Sequence, residues 1–282
     1  MNLENTIKQA SQILKEHKIN SNELDAQVIL ASIMRVKKEY LIINSEKTIS
    51  EKLIKKYHTA IERRIKKEPT ACITGTREFW SQDFLVDKST LVPRPETELL
   101  IYKIVRFFKN KKINILDIGT GSGCILLSIL KELNSSRGIG IDISPKAILI
   151  AKKNSKRLNL NHRAKFKVFD LNKVRPGKFD LIVSNPPYIP TRDLNKLSKD
   201  IIDHEPRIAL DGGFDGLELV KRVIYKSNYL LKRNGLLAIE IGFGQYKKVS
   251  AILKSNKFRE IGKECDYNRN VRCIISTKSG FF

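Results

Sequence analysis

The stretch Phe179-Asp180-Leu181-Ile182-Val183-Ser184-Asn185-Pro186-Pro187-Tyr188 does more than any other to restrict the folds open to this chain. Leu181, Ile182 and Val183 form a short aliphatic run of the kind that fills a strand buried on both faces of a parallel sheet. That strand has to stop at Asn185. Pro186 and Pro187 donate no ladder hydrogen bond, and a residue before proline is pushed away from helical angles, so 185–188 becomes a stiff turn at the strand's carboxyl end. In open α/β sheets that end is where ligands bind. The turn offers the Asn185 amide oxygen and the Pro186 carbonyl as acceptors, with Pro187 for stiffness and the flat ring of Tyr188, a set able to hold a planar group carrying an NH2. The plainer alternative is a stiff turn with a solvent-exposed tyrosine.

The surrounding pattern supports a sheet of that class. From Ile113 onward strands and helices alternate, which predicts a parallel sheet with helices on both faces. Strands are expected at 113–117, 139–143, 166–169, up to Asn185, and 236–241. Helices are expected at 124–133, from Ser144-Pro145 onward, and at 217–232 with Gly235 as the stop. A mostly irregular segment, 189–214, is expected to cover the site. The tail, with Val271, Ile274 and Ile275, is expected to add antiparallel edge strands.

Upstream, residues 1–75 show no strand pattern. Asn20 and Glu23 read as a capping box ahead of a helical face formed by Leu24, Val28, Ile29 and Ile33. Ser50 opens a helix with Leu53, Tyr57, Ile61 and Ile65 at fourfold spacing, and Lys55, Lys56, Arg63, Arg64, Lys66 and Lys67 fill its remaining face. Glu68-Pro69 ends that helix. Apolar residues between Phe79 and Val92 flank polar Asp87-Lys88-Ser89 in a hairpin-like pattern. Pro95 then occupies the first turn of a helix running to about Phe108, and Arg94 is fixed between two prolines. The expected organisation is a helical bundle at 1–75, a β-hairpin linker at 76–92 and an α/β domain at 93–282.

A net charge of +23 suggests an acidic partner, but the lysines are spread along the whole chain. The densest segment, between Asp142 and Asp170, has eight basic residues and few aromatics among them, so a solvated face is the expected reading. Cys72, Cys124, Cys265 and Cys273 form no C-x-x-C pair and have no His at ligand spacing. They read as buried thiols in a reducing compartment, with no metal. The first residues lack a signal pattern and no apolar run approaches the roughly 20 residues of a membrane span, so a cytoplasmic, soluble protein is expected.

Gly119-Thr120-Gly121-Ser122-Gly123 sits between the first strand and its helix, where glycines let a ligand approach the backbone. The spacing is G-x-G-x-G rather than G-x-G-x-x-G, so a pyrophosphate is not the obvious ligand. Asp142, ending the second strand, can accept both hydroxyls of a ribose. Asp170, ending the third, can reach an adenine amine, and Leu171 can pack on the ring. An adenine nucleoside without a phosphate cradle fits S-adenosylmethionine. Held by Asn185 and the Pro186 carbonyl, an amide nitrogen could then be aimed at a sulfonium methyl.

Taken together, Asn185 to Tyr188, Gly119 to Gly123, Glu68-Pro69 with Gly75 and Phe79, Pro93 to Glu98 and His204-Glu205-Pro206 resemble the bacterial N5-glutamine methyltransferases. The resemblance is strongest to the branch that modifies the Gly-Gly-Gln glutamine of class I peptide chain release factors. It implies a seven-stranded Rossmann-like class I methyltransferase sheet in the order 3-2-1-4-5-7-6, and a helical domain that docks the release factor. It also implies S-adenosylmethionine on Gly119 to Gly123 and Asp142, with the glutamine on Asn185 to Tyr188; Asn185, Pro186 and Tyr188 are the expected catalytic residues, and Asn185 is expected to touch the cofactor as well. A monomer needing no nucleic acid is the expected state. The Asp266 to Arg272 segment departs from the family's usual form. Two alternatives stay open: a glutamine of a ribosomal protein, disfavoured by Arg94-Pro95-Glu96-Thr97-Glu98, and an exocyclic amine of nucleic acid, which the same kind of turn can hold.

Overall fold

The computed structural model describes residues 1–174 and 177–278. The chain divides into two compact units, Met1–Thr76 with Ser198–His204, and Arg77–Leu197 with Glu205–Phe282. The final residues of the expected 93–282 domain, 279–282, lie outside the described ones.

The first unit is helical: α1 (Leu3–Glu16), α2 (Asn22–Met34), α3 (Lys38–Ile43), α4 (Glu51–Ile65) and α5 (Thr70–Thr74). Leu3, Leu14, Ile29, Leu30, Tyr57 and Ile61 form its core. The fourfold face of α4 packs as expected, but the capping box from Asn20 to Glu23 does not form. The helix begins behind Ser21, whose hydroxyl donates to Asp25 at 2.8 Å, and Leu24 is left half exposed. Arg64, expected on the outer face, is buried. Its Nε donates to Asp25 at 2.7 Å and its Nη1 to Asp200 at 3.0 Å, so the charge is matched inside the unit rather than by water.

Next comes a hairpin, β1 (Thr76–Phe79) and β2 (Gln82–Leu85), all but its first residue in the second unit. Its turn is Trp80-Ser81, not the expected Asp87-Lys88-Ser89. Both turn residues have positive φ, +50° and +54°, the geometry normally signalled by Asn-Gly. Two carboxylates hold it there: the Trp80 backbone N–H donates to Glu98 and its indole N–H to Glu132.

A short 3-10 turn at Pro95–Thr97 leads into α6 (Glu98–Phe108). There follow β3 (Asn114–Ile118), α7 (Cys124–Glu132), β4 (Arg137–Asp142), α8 (Pro145–Arg157), β5 (Ala164–Val168) and β6 (Phe179–Ser184). The segment after β6 holds 3-10 turns at Thr191–Lys196 and Arg207–Ala209, with α9 (Lys199–Ile202) counted in the helical unit. It folds back on itself where Ile189 bridges Asp211. Then come α10 (Glu218–Leu230), β7 (Leu231–Glu240), α11 (Tyr246–Ser255), β8 (Phe258–Cys265) and β9 (Val271–Lys278).

Sheet order is β5-β4-β3-β6-β7-β9-β8, parallel except where β9 runs against β7 and β8. Counted from β3, that is 3-2-1-4-5-7-6, the order the resemblance implied. Gly235 is not a helix stop. It lies in β7, whose pairing with β6 jumps from Leu231 to Leu236 and leaves 232–235 bulged out. Of the tail strands only β8 is an edge; β9 is inserted beside β7, and the unforeseen α11 supplies the connection that permits this.

Candidate active site

Three neighbouring strands, β4, β3 and β6, end at one edge of the sheet, and their carboxyl ends carry most of the residues singled out above. After β3 the chain turns sharply: Gly119, Gly121 and Gly123 have φ of +72°, +55° and +81°. A Cβ at Gly119 or Gly121 would meet nothing within 4 Å, so the loop opens onto space. Behind it the packing is tight. A Cβ at Gly123 would come within about 3.1 Å of Phe166, which closes that side against α8.

Asp142 lies beside this loop with its carboxylate already positioned. One oxygen accepts the Gly121 N–H at 3.0 Å and the other the Ser144 N–H at 2.9 Å. Each oxygen keeps a second lone pair, which is what a pair of ribose hydroxyls requires. Asp170 is half exposed, accepts the Asn172 N–H at 2.8 Å and faces Arg222 at 3.5 Å, while Leu171 is buried in the core.

These groups surround a cavity of about 390 Å³. Gly119, Thr120, Gly121, Ser122, Asp142, Asp170, Leu171, Asn185 and Pro187 all line it. Its size suits a nucleoside cofactor, and the open glycine loop beside a fixed carboxylate fits one chemically. Pro186 is buried next to that lining, and Tyr188 is half-buried against Gly242 and Arg272. Gln245 fastens this part of the turn, donating to the Tyr188 carbonyl at 2.9 Å while its own oxygen accepts the Gly242 N–H at 2.8 Å.

Several contributors had escaped the sequence reading. Ile143 and Phe169, exposed apolar residues next to Asp142 and Asp170, line the cavity. Arg94, already marked in the sequence by its place between two prolines, also lines it and donates to buried Glu205 at 2.7 Å. Asn154 ties β2 to the glycine loop by bonds to both backbone groups of Leu85 and to the Ser122 carbonyl. Arg163, counted with the solvated basic face, instead donates to the carbonyls of Leu130, Leu133 and Ser136 at the end of α7. Of the cysteines, Cys124 and Cys273 are buried, Cys72 is half-buried and Cys265 is exposed, which corrects the expectation for the last.

Two acids are fully enclosed here. Burial pushes the Asp117 and Glu240 carboxyls up to about 7, against hydrogen bonds from Thr120 and Thr97 that pull the other way. Their ordinary values are 3.8 and 4.5, so the folded state binds these protons more tightly than the unfolded chain. The stability they contribute is complete below their unfolded values and is lost as pH rises through their folded ones. The melting temperature should therefore fall between about pH 5 and about pH 8, and Asp117→Asn should flatten that slope in calorimetry.

Known proteins match this chain along its length. The PrmC N-terminal domain profile matches residues 5–75, and a methyltransferase domain profile matches 109–278. The release factor glutamine methyltransferase of Clostridium acetobutylicum is 38% identical, over 99% of this chain and 100% of that protein. The chain belongs to the release factor glutamine methyltransferase family. A second member, from Caulobacter vibrioides, is 35% identical over 94% of this chain and 93% of its own. A methyltransferase structure from Pyrococcus furiosus, 16% identical, superimposes with a TM-score of 0.53 over 70% of this chain and 89% of that one, which shows the shared fold. Among the described residues, no helix is long and apolar enough to cross a membrane.

Proposed function

We propose that this protein transfers a methyl group from S-adenosylmethionine to the side-chain amide nitrogen of the glutamine in the Gly-Gly-Gln motif of class I peptide chain release factors. One observation carries the reading: Asn185 lines the same cavity as the glycine loop and Asp142, with Pro186 buried next to it. When bound, the cofactor supplies an electrophilic methyl on a positively charged sulfur. The chain's own part is positioning. Gly119 to Gly123 receive the nucleoside, Asp142 takes the ribose hydroxyls, and Leu171 with Ile143 and Phe169 provides apolar walls for the base. Asn185 Oδ1 and the Pro186 carbonyl accept one hydrogen each from the glutamine NH2. That keeps the amide from rotating and directs the nitrogen lone pair at the methyl. On accepting the methyl, the glutamine nitrogen would give up one of the two hydrogens held by Asn185 Oδ1 and the Pro186 carbonyl, as a proton to water.

The helical unit, residues 1–75, is the proposed docking element for the release factor, with the hairpin 76–92 as connector. The protein acts as a cytoplasmic monomer without nucleic acid in this reading. Labelled S-adenosylmethionine offered separately with release factor, ribosomal proteins, tRNA and DNA tests it. Label should appear on one release-factor glutamine; label on nucleic acid instead would sink the substrate assignment. Asp142→Ala should weaken cofactor binding by about 10- to 100-fold, the worth of a charged hydrogen-bond pair. Calorimetry reads this directly, and unchanged affinity would remove the ribose role.

A further inference from the structure

β7 carries one acid in an otherwise apolar run, Leu236-Leu237-Ala238-Ile239-Glu240-Ile241. Glu240 is only 1% exposed. Its Oε2 accepts the Thr97 hydroxyl at 2.6 Å, and its Oε1 is buried without a hydrogen-bond partner. Thr97 has one proton, and that proton is committed. Its oxygen can then only accept, and it accepts from Asn185 Nδ2 at 3.2 Å. A carboxylate cannot donate, so the chain of bonds runs one way, from Asn185 through Thr97 to Glu240. With its NH2 held toward Thr97, the Asn185 amide has its oxygen turned the other way, and among the described residues no protein group donates to that oxygen.

We infer that Thr97 and Glu240 are positioning residues that fix the orientation of the Asn185 carboxamide, so that an acceptor rather than a donor meets the NH2 of the substrate glutamine. This rests on the glutamine-transfer reading above. Without the relay the amide could flip, and its NH2 would face the substrate NH2, donor against donor. Several groups around Glu240 tune it. Arg272 from β9 favours the charged form, and Glu96, beside Thr97 in the 3-10 turn, opposes it. From the turn, Asn185 also makes a direct hydrogen-bond contact with Glu240 that favours the charged form, and Tyr188 faces it, as do Cys124 from α7 and Cys273 from β9. Once protonated, Glu240 can itself donate to Thr97, which releases the Thr97 proton toward Asn185 and removes the bias. The rate should therefore rise with pH through the titration of Glu240.

Three variants test this. Thr97→Val keeps shape and deletes the hydroxyl; kcat on the release factor should fall about 10- to 100-fold while cofactor affinity stays unchanged. Thr97→Ser should restore most of the rate. Glu240→Gln is neutral and nearly isosteric; it should melt no lower than the wild type at pH 8, yet turn over more slowly there and lose the pH dependence near 7. A Thr97→Val enzyme as fast as wild type, or a Glu240→Gln enzyme with the wild-type pH profile, would overturn the inference. The side-chain NH2 resonances of Asn185 give a readout independent of turnover. They should titrate with pH in the wild type and not in Glu240→Gln. Should the wild type fail to methylate release factor, the substrate reading falls alone, and resonances indifferent to pH would dispose of the relay separately.

Discussion

Replacing Asn185 with alanine will lower methyl transfer by about 10²- to 10³-fold while leaving S-adenosylmethionine binding nearly intact, the loss seen when one preorganised transition-state contact is removed. An amide nitrogen is a weak nucleophile because its lone pair is delocalised into the carbonyl. Accepting its hydrogens raises electron density on nitrogen and fixes the approach, and both effects grow as the N–C bond forms. The loss should consequently sit in kcat more than in KM. Asn185 also ends the relay from Glu240, so alanine leaves the Thr97 oxygen without its donor but breaks none of the bonds that hold the glycine loop or Asp142. Single-turnover rates with saturating cofactor, beside a calorimetric titration of the cofactor, separate the two effects. A variant that bound cofactor tenfold more weakly yet transferred methyl at the normal rate would assign Asn185 to the cofactor and not to the glutamine.

Arg64→Met will destabilise the helical unit by about 3–5 kcal/mol, because removing one partner of a buried ion pair strands the other charge. Asp25 is the group stranded. It is 6% exposed and holds the Ser21 and Thr70 hydroxyls as well as the Arg64 Nε, so it cannot turn outward without breaking those contacts. Asp200, about one-third exposed, retains access to water and contributes less. Adding Asp25→Asn to Arg64→Met should recover part of the loss, since the neutral amide tolerates burial far better than an unpaired carboxylate. Urea unfolding followed by far-UV circular dichroism measures both variants. Equal midpoints for wild type and Arg64→Met would show that Arg64 acts as an ordinary surface cation.

The parallel sheet was legible because its strands are short aliphatic runs cut off by Asn, Asp and Gly-rich turns, a local signal that tertiary structure does not override. Gly119 to Gly123, Asp142 and the Asn185 turn were legible for the same reason: each ends a strand or follows directly on one. What stayed hidden depends on partners distant in sequence. Arg64 looks like any basic residue on a helix until Asp25 and Asp200 are brought to it. Trp80-Ser81 carries no turn signature because carboxylates at 98 and 132 hold the strained backbone. α11 was missed because Lys247 and Lys248 break up a short apolar pattern. Glu240 could have been found, since a lone acid inside an aliphatic strand is rarely buried without a partner or a task.

The helical unit is not one continuous stretch of chain: Ser198–His204 belongs with Met1–Thr76, and from it Asp200 reaches Arg64. Recombination at the codon boundary near residue 76 would not move a self-sufficient module into another gene, because the recipient would inherit a guanidinium lacking one of its two counterions. Inheritance of this N-terminal region and of the loop that completes it should thus have been joint, and chimaeras that exchange one without the other should express poorly.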